Sequence, residues 1–367
     1  MKKTTQRRPT MTDIAKLTGV SQSTVSLVLN NASGAKFSDV TRDKVLRAAQ
    51  ELGYRMTPRE PAALDAFDTP GVESERNLIV YLADEISTSP HPVVSIDGAR
   101  DAAFAHGRML AVYSTHGNAE IEARVLAATL DHPNLLGVIY ATVYTRLVAL
   151  PAALAKVPTV LLNCYASEAN LSSVVPAEVA GGHTATDYLL AAGHRRIGYI
   201  NGEPYQDAAR DRLKGYRTAL ATADLPFAPE LVREGDWSSG AGFEQTLSLM
   251  REPNPPTAIF CANDLMALGA IEALKQLGLR VPDDVSVVGY DDQEIARHTH
   301  PPLSTVVLPN YDLGRWAVET LLQEEHNRAV GAPLRRRTVK LDGPLIERGS
   351  VKVIAEAHQF ATNNISD

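Results

Sequence analysis

The 367-residue sequence predicts a small α-helical head followed by a large α/β body built on parallel sheets. Two patterns lead to this class. Residues 10–54 hold short stretches with apolar residues at helical spacing, whereas the chain after residue 76 alternates strand-length apolar runs with amphipathic stretches. The length corresponds to about two or three domains of ~150 residues, and 44% apolar residues suffice for more than one core.

Charge is divided unevenly along the chain. Residues 1–60 hold eleven Lys and Arg against five Asp and Glu, whereas the remainder holds 25 against 38. A basic head on an acidic body indicates that only the head meets a polyanion, although an ordinary solvated surface is the alternative.

Localisation is predicted from what the sequence lacks. No apolar run approaches the ~18–20 residues of a membrane span, and no apolar stretch follows the basic N-terminus as in a secretory signal. Cys164 and Cys261 are too few for a disulfide framework. A cytoplasmic protein is therefore expected.

The head is expected to form three short helices. The first spans residues 12–17, Gly19 permits a tight turn and Val20 fills the corner. The second spans residues 21–29, and Ser38 can cap the third. The inner face of the third helix includes Val45, Ala48, Ala49 and Leu52.

The spacing from Ala15 through Gly19 and Val20 to Val25 is typical of a helix-turn-helix. Such a motif places its second helix in the major groove of DNA, where outward side chains meet base edges and phosphates. The alternative is a bundle whose polar face meets only water. The predicted DNA contacts in the head are Thr12, Ser21, Gln22, Ser23, Thr24, Ser26, Leu27 and Asn30.

The body follows a linker. Residues 55–76 hold three prolines and eight charges with little periodicity, which is a linker composition. Beyond it, continuous apolar runs predict strands buried on both faces, as in a parallel sheet covered by helices. The predicted strands are 78–83, 109–113, 136–141, 159–163, 197–201, 258–261 and 285–290. The predicted helices are 93–106, 121–130, 179–192, 210–222, 240–250, 264–277 and 311–323.

Polar residues follow three of these strands, at the end where open parallel sheets bind ligands. A single Asn or Asp there is usually a helix cap or turn residue, but three such ends in one cleft favour a ligand site. An arginine, an indole and several amide or carboxylate oxygens suit a polyol, although Trp237 could equally be a core aromatic. The predicted ligand contacts are Ser87, Ser89, Asn163, Arg212, Trp237, Asn263, Asp264 and Asp291.

The head, MTDIAKLTGVSQSTVSLVLNN followed by VTRDKVLRAAQELGY, resembles the lactose-repressor (LacI/GalR) family of transcription regulators. Body stretches such as LLAAGHRRIGYING and AIFCANDLMALGAIEALKQLGLRVPDDVSVVGYDD resemble the family's sugar-sensing core, which is similar to two-lobed periplasmic sugar-binding proteins. The resemblance implies that the effector contacts are Asn163, Arg212, Trp237, Asn263 and Asp291.

The sequence departs from the family at two places. Residues 89–92, Ser-Pro-His-Pro, stand where the family has Asn-Pro and two aromatics, which removes an expected aromatic wall. The family's hinge helix wedges a leucine into the minor groove, but its usual Ala-Arg-x-Leu pattern is absent here. Pro61 interrupts the helix, so that Leu64 is the nearest candidate wedge and an inert tether is the alternative.

The implied fold crosses between its lobes three times, expected near Val175, Ser304 and Gly331. The predicted organisation is a DNA-binding domain at 9–54, a hinge at 55–76, a first lobe at 77–175 and 305–331, a second lobe at 176–304 and 332–350, and a tail at 351–367.

No catalytic, metal or cofactor pattern competes with this interpretation. Neither a Walker A sequence nor G-x-G-x-x-G occurs, and His298 with His300 lacks a third metal ligand nearby. We therefore expect a non-enzymatic repressor, a homodimer that binds pseudo-palindromic operator DNA and a sugar-like effector. The alternatives are a solute-binding protein, which would need an export signal, or a sugar-active enzyme using Asp264 or Asp291.

Overall fold

The computed structural model describes residues 39–52, 76–167 and 170–354, together with Ile14, Leu17, Thr18, Val20, Val25 and Val28. The chain divides into two compact units, Met1–Ser74 and Glu75–Asp367. The predicted DNA contacts lie outside the described residues; these are Thr12, Ser21, Gln22, Ser23, Thr24, Ser26, Leu27, Asn30 and Leu64.

In the first unit, helix α1 spans Asp39–Glu51 and turns one apolar face inward. Its buried residues belong to a small cluster against which Val20 and Leu52 are partly buried. The predicted inner face of this helix is therefore confirmed, as is the position of Val20 against the core. The buried residues of the cluster are Ile14, Val25, Val28, Val45, Ala48 and Ala49.

The second unit contains two six-stranded sheets, one in each lobe. The strands of the first sheet are β1 (Leu78–Ala83), β2 (Met109–Ser114), β3 (Leu135–Leu147), β4 (Thr159–Tyr165), β5 (Ser172–Pro176) and β11 (Thr338–Leu341). They lie in the order β2-β1-β3-β4-β5-β11, and every pairing is parallel.

The strands of the second sheet are β6 (Ile197–Asn201), β7 (Val232–Glu234), β8 (Ala258–Cys261), β9 (Ser286–Asp291), β10 (Ser304–Val307) and β12 (Leu345–Ile346). Their order is β7-β6-β8-β9-β10-β12, and only the short β12 is antiparallel. Both lobes thus begin with the doubly wound order 2-1-3-4-5, which places a ligand at the carboxyl ends of the strands.

Helices cover both faces of these sheets. They are α2 (His91–Ala105), α3 (Ala119–Thr129), α4 (Glu178–Ala191), α5 (Asp207–Thr222), α6 (Ser239–Leu249), α7 (Asp264–Gln276) and α8 (Asn310–Ala329). In the described part of the chain, no helix combines the length and the apolar character needed to cross a bilayer.

The continuous apolar run of β1 shows why the strands are buried on both faces. Ile79 and Tyr81 belong to the cluster that includes residues of α2 and α8, whereas Val80 and Leu82 belong to a second cluster with Leu126 of α3. Because side chains alternate along a strand, two covered faces require apolar residues at every position. The predicted parallel α/β architecture is therefore confirmed.

The strand pairings revise two of the three expected crossings between lobes. The first sheet's β5 ends beside the expected crossing near Val175. However, β10 pairs with β9, so that the chain stays in the second lobe beyond Ser304. Likewise β11 pairs with β5, so that residues 338–341 remain in the first lobe beyond Gly331 instead of belonging to the second. β10 and β11 have four residues each, which is too short to show a clear strand pattern in the sequence.

Candidate ligand-binding cleft

A cavity of about 390 Å³ lies between the two lobes, at the carboxyl ends of their strands. The first lobe lines it with residues that end β3 and β4 or begin α2. The second lobe lines it with residues that follow β6, β8 and β9. The polar and aromatic lining includes Ser89, His91, Tyr144, Thr145, Asn163, Glu178, Glu203, Gln206, Arg212, Asp236, Trp237, Asn263, Asp291, Gln293 and Asn310.

Arg212 of α5 is the buried positive centre of this cavity. Its Nε and Nη2 donate to the two carboxylate oxygens of Glu178 at 2.7 and 2.9 Å, and Nη1 donates to the carbonyl of Ala262. The guanidinium carbon lies 3.7 Å from the ring centre of Tyr290. Burial alone would lower the pKa of Arg212, but the charges of Glu178 and Asp291 raise it above its usual range.

Asp291 ends β9 with a backbone φ of 112° and turns its carboxylate toward the cavity. Its Oδ2 accepts a hydrogen bond from Gln293 Nε2 at 3.1 Å and lies 3.5 Å from His91 Nε2. Its Oδ1 is buried without a hydrogen-bond partner among the described residues, although Arg212 Nη1 lies 3.6 Å away. Burial raises the pKa of Asp291, opposed by His91 and Arg212.

Trp237 presents the second unpaired polar atom of the cavity wall. Its backbone φ is 69°, and its indole lies so close to Gly202 that a Cβ there would overlap the ring. The carbonyl of Trp237 accepts a hydrogen bond from Asn263 Nδ2 at 2.9 Å. Its indole Nε1 is buried without a hydrogen-bond partner in the described part of the chain. Two residues of the cavity wall, Asp291 and Trp237, thus carry a buried acceptor and a buried donor without a partner among the described residues.

The two asparagines at strand ends shape the cavity more than they offer free groups to it. Asn163, with a φ of 58°, donates from Nδ2 to the carbonyls of Thr142 and Val143 at 3.0 and 3.1 Å. Asn263 caps α7 by accepting from the backbone N–H of Met266 at 2.8 Å. Both residues line the cavity, but their side-chain amides are already hydrogen-bonded within the protein, to the backbone and, for Asn163 Oδ1, to the hydroxyl of Thr145.

The structure does not bring Asp264 into the cavity lining. This carboxylate is fully buried, and it is not among the described residues that line the cavity. Its Oδ1 accepts from the hydroxyl of Thr305 at 2.6 Å and its Oδ2 from the backbone N–H of Gln293 at 2.7 Å. Asp264 therefore ties α7 to the ends of β9 and β10, and burial raises its pKa well above the usual value.

Ser87 is also outside the cavity lining, and its hydroxyl donates to Glu85 at 2.9 Å on the exposed surface. Ser89 does line the cavity, where its Oγ accepts from the backbone N–H of His91 at 3.3 Å. His91 itself is a cavity residue that the sequence argument did not select. It occupies the place of the family's aromatic, and the missing Asn-Pro-aromatic pattern was the signal that could have found it.

Glu178 is the other important residue that the sequence argument missed. It lies in the first turn of α4, where acidic residues are common because they stabilise the positive end of a helix. Its local sequence does not distinguish an acidic residue that only stabilises the helix end from one that pairs with Arg212. The pairing depends on the neighbouring packing of α4 and α5, which joins residues 34 positions apart.

Two family models match the chain. Bacterial regulatory proteins of the lacI family match residues 10–56, and a periplasmic binding protein-like domain matches residues 186–351. The ribose operon repressor of Haemophilus influenzae is 35% identical over 319 residues, covering 87% of this chain and 92% of the relative. The transcriptional repressor CytR of Escherichia coli K12 is 31% identical over 352 residues, 94% of this chain and 97% of the relative.

Two solved structures of transcription regulators are also similar to this chain. The lac repressor dimer bound to operator and the anti-inducer ONPF has a TM-score of 0.63 and 30% identity, covering 94% of this chain and all of that chain. A complex of the transcriptional regulator CelR with cellobiose has a TM-score of 0.60 and 30% identity over the same shares.

A DNA-binding head joined to a two-lobed ligand-binding core defines a ligand-responsive transcription regulator. The chain belongs to the LacI family of bacterial regulatory proteins. Its relatives are named as repressors, so that the sugar-active enzyme and the solute-binding protein are not favoured.

Proposed function

We propose that the chain is a cytoplasmic, homodimeric repressor whose affinity for operator DNA is controlled by a sugar bound in the cleft. Support comes from relatives named ribose operon repressor and from neighbours solved with cellobiose and with operator. The proposed DNA contacts are the predicted residues of the head, together with Leu64. Each head of the dimer would bind one half-site of a pseudo-palindrome.

The observation that carries the proposal is a pair of buried polar atoms without a hydrogen-bond partner among the described residues, Asp291 Oδ1 and Trp237 Nε1, both on residues that line the cavity. Buried polar atoms are normally hydrogen-bonded, so that two such atoms on residues lining one cavity favour a polar ligand. A sugar hydroxyl can donate to the carboxylate, and another can accept from the indole N–H. The proposed effector contacts are Ser89, Asn163, Arg212, Trp237, Asn263 and Asp291.

The size of the cavity favours a small effector. Its volume of about 390 Å³ lies near the lower end of the range of about 300–1,000 Å³ that is typical of small-molecule sites. A monosaccharide is therefore the first candidate, which agrees with the ribose operon repressor among the relatives.

Because contacts cross the cleft between the lobes, a bound effector can change how the two lobes are arranged. The hydroxyl of Tyr165 in the first lobe donates to Asp207 of the second lobe at 2.5 Å, and His91 lies against Asp291. A ligand held by both lobes favours the arrangement in which it makes more contacts. The change in DNA affinity then measures the coupling free energy between the effector site in the cleft and the DNA-binding head.

The proposed homodimer has a candidate face on the first lobe. β2 is an edge strand, and α2 packs beside it. An uncovered strand edge with apolar side chains around it is normally protected by a partner. The exposed apolar residues on this face are Val93, Val94, Phe104, Met109, Val112 and Tyr113.

A two-step experiment tests the proposal. Purified full-length protein is screened by thermal shift against D-ribose and a panel of neutral mono- and disaccharides, and each sugar that binds is then added to a DNA gel shift. We expect at least one sugar to raise the melting temperature and to change the fraction of bound duplex. Binding of no sugar, or binding without an effect on DNA, would contradict the proposal.

A further inference from the structure

The charge of the cavity lining is strongly one-sided. Four carboxylates line it, those of Glu178, Glu203, Asp236 and Asp291. Arg212 is the one guanidinium, and no lysine lines the cavity among the described residues. Hydrogen bonds from the hydroxyl and backbone N–H of Ser238 lower the pKa of Asp236, so that this exposed carboxylate stays ionised. An anionic ligand that enters the cavity would be repelled by these carboxylates.

Arg212 is not available to neutralise such a charge. Two of its nitrogens hold both oxygens of Glu178, and the third donates to the carbonyl of Ala262 and faces Asp291. Its side chain is only 4% exposed. A phosphate is usually recognised by an arginine that is free to form a bidentate pair, and this arginine is already paired with a carboxylate.

Helix N-termini, the other common phosphate-binding groups, are also occupied. In the second lobe α4, α5 and α7 carry an acidic residue of their own in the first turn, namely Glu178, Asp207 and Asp264. α6 begins at the Ser238 cap, whose N–H donates to Asp236 at 2.9 Å. Each of these four helices thus carries an acidic residue in its first turn or just before it, and that negative charge opposes the binding of an anion there.

In the first lobe, the start of α2 lines the cavity but offers few backbone donors. Pro90 and Pro92 have no N–H, and the N–H of His91 donates to Ser89 Oγ at 3.3 Å. We infer that the cleft accepts an uncharged, hydroxyl-rich effector and rejects the phosphate ester or carboxylate of the same compound. This inference rests on the proposed function, and it names the chemical class that the site takes.

The test is calorimetric titration of the full chain with matched pairs: D-ribose against D-ribose 5-phosphate, and D-glucose against D-glucose 6-phosphate and D-gluconate. We expect a neutral sugar to bind about 100-fold more tightly than its anionic partner, which is about 2.7 kcal/mol. Equal or tighter binding of the anion would overturn the inference while leaving a sugar-responsive repressor intact. Binding of no neutral sugar would overturn the proposed function and this inference together.

A variant pair separates charge from shape. Glu203→Gln with Asp236→Asn removes two lining charges with little change in volume, and Asp131→Asn with Glu244→Gln removes two acids outside the cavity lining. The first pair should reduce the preference for the neutral sugar about tenfold, and the second should leave it unchanged. If both pairs keep the full preference, repulsion by the lining carboxylates is not its cause and the inference fails.

Discussion

The Nε2 of His91 lies 3.5 Å from the Oδ2 of Asp291, and this contact joins the two lobes across the cleft. His91 begins α2 in the first lobe, and its Nδ1 lies 3.1 Å from the amide nitrogen of Asn310 at the start of α8. Asp291 ends β9 in the second lobe. The carboxylate of Asp291 thus contacts a side chain of the opposite lobe, and we expect a ligand bound at this carboxylate to affect the arrangement of the lobes.

Asp291→Asn should weaken effector binding, because it removes the charge from a carboxylate whose buried Oδ1 has no hydrogen-bond partner among the described residues. A hydrogen bond to a charged group contributes about 1.5–3 kcal/mol, so that we expect affinity for the bound sugar to fall by one to two orders of magnitude. Duplex binding in the absence of sugar should remain. Calorimetry and a gel shift measure the two quantities. Unchanged affinity for the sugar would remove Asp291 from the site, and exposed Asp131→Asn is the matched control.

Arg212→Met should destabilise the body, because it leaves Glu178 and Asp291 as uncompensated buried charges. Breaking a buried pair by removing one partner costs about 3–5 kcal/mol. Urea unfolding should show this loss, whereas Arg315→Gln on the surface should change stability by less than about 0.5 kcal/mol. Adding Glu178→Gln to the Met variant should restore part of the stability. A double variant no more stable than the single one would contradict the pairing.

Trp237→Phe tests the indole N–H apart from the aromatic surface. The ring stacking remains but one neutral hydrogen bond is lost, which is worth about 0.5–1.5 kcal/mol. We expect sugar affinity to fall about two- to tenfold, and Trp237→Ala to cost more. Trp316→Phe is the control and leaves Trp237 as the chain's one tryptophan, so that quenching of its fluorescence reports occupancy. Wild-type affinity in the Phe variant would show that Nε1 does not contact the effector.

His194 should make stability depend on pH. It is buried between the hydroxyls of Thr257 and Ser286 at 2.9 and 3.0 Å, and burial lowers its pKa below 6.5. The folded protein therefore binds this proton less readily than the unfolded chain. Its contribution to stability is complete above pH 6.5 and is lost as the pH falls through the lowered folded value.

His194→Gln should flatten the dependence of the unfolding free energy on pH below 6.5, and exposed His326→Gln should not. Urea unfolding at a series of pH values measures both variants against the unsubstituted chain. An identical pH slope in the chain with and without His194 would show that another group controls it.

Much of the fold could be predicted because the central strands are buried on both faces. β1, β6 and β8 begin and end at the predicted residues, since an uninterrupted apolar run marks such strands clearly. The strands that escaped prediction are short or lie near sheet edges: β5, β7, β10, β11 and β12. They determine where the chain crosses between lobes, which explains why the expected crossings near Ser304 and Gly331 were displaced.

The site was only partly predictable for a different reason. Asn163, Asn263 and Asp291 follow strands and do line the cavity, because strand order fixes where strand ends meet. Asp264 lies one residue beyond Asn263, yet it begins α7 and points into the protein, a direction that the sequence does not encode locally. Glu178 and His91 reach the site through packing between distant elements, which no short pattern records.

The central claim is that occupancy of the cleft sets the affinity of the head for specific DNA. The direct measurement is fluorescence anisotropy at one fixed salt concentration, using the full chain and a duplex selected from a random pool, with and without a saturating sugar. We expect the protein to prefer the selected duplex clearly over competitor DNA. We also expect saturating sugar to change the Kd for that duplex by about 5- to 150-fold, the usual range of allosteric coupling. A protein with no duplex preference, or with the same Kd at every sugar concentration, would contradict it.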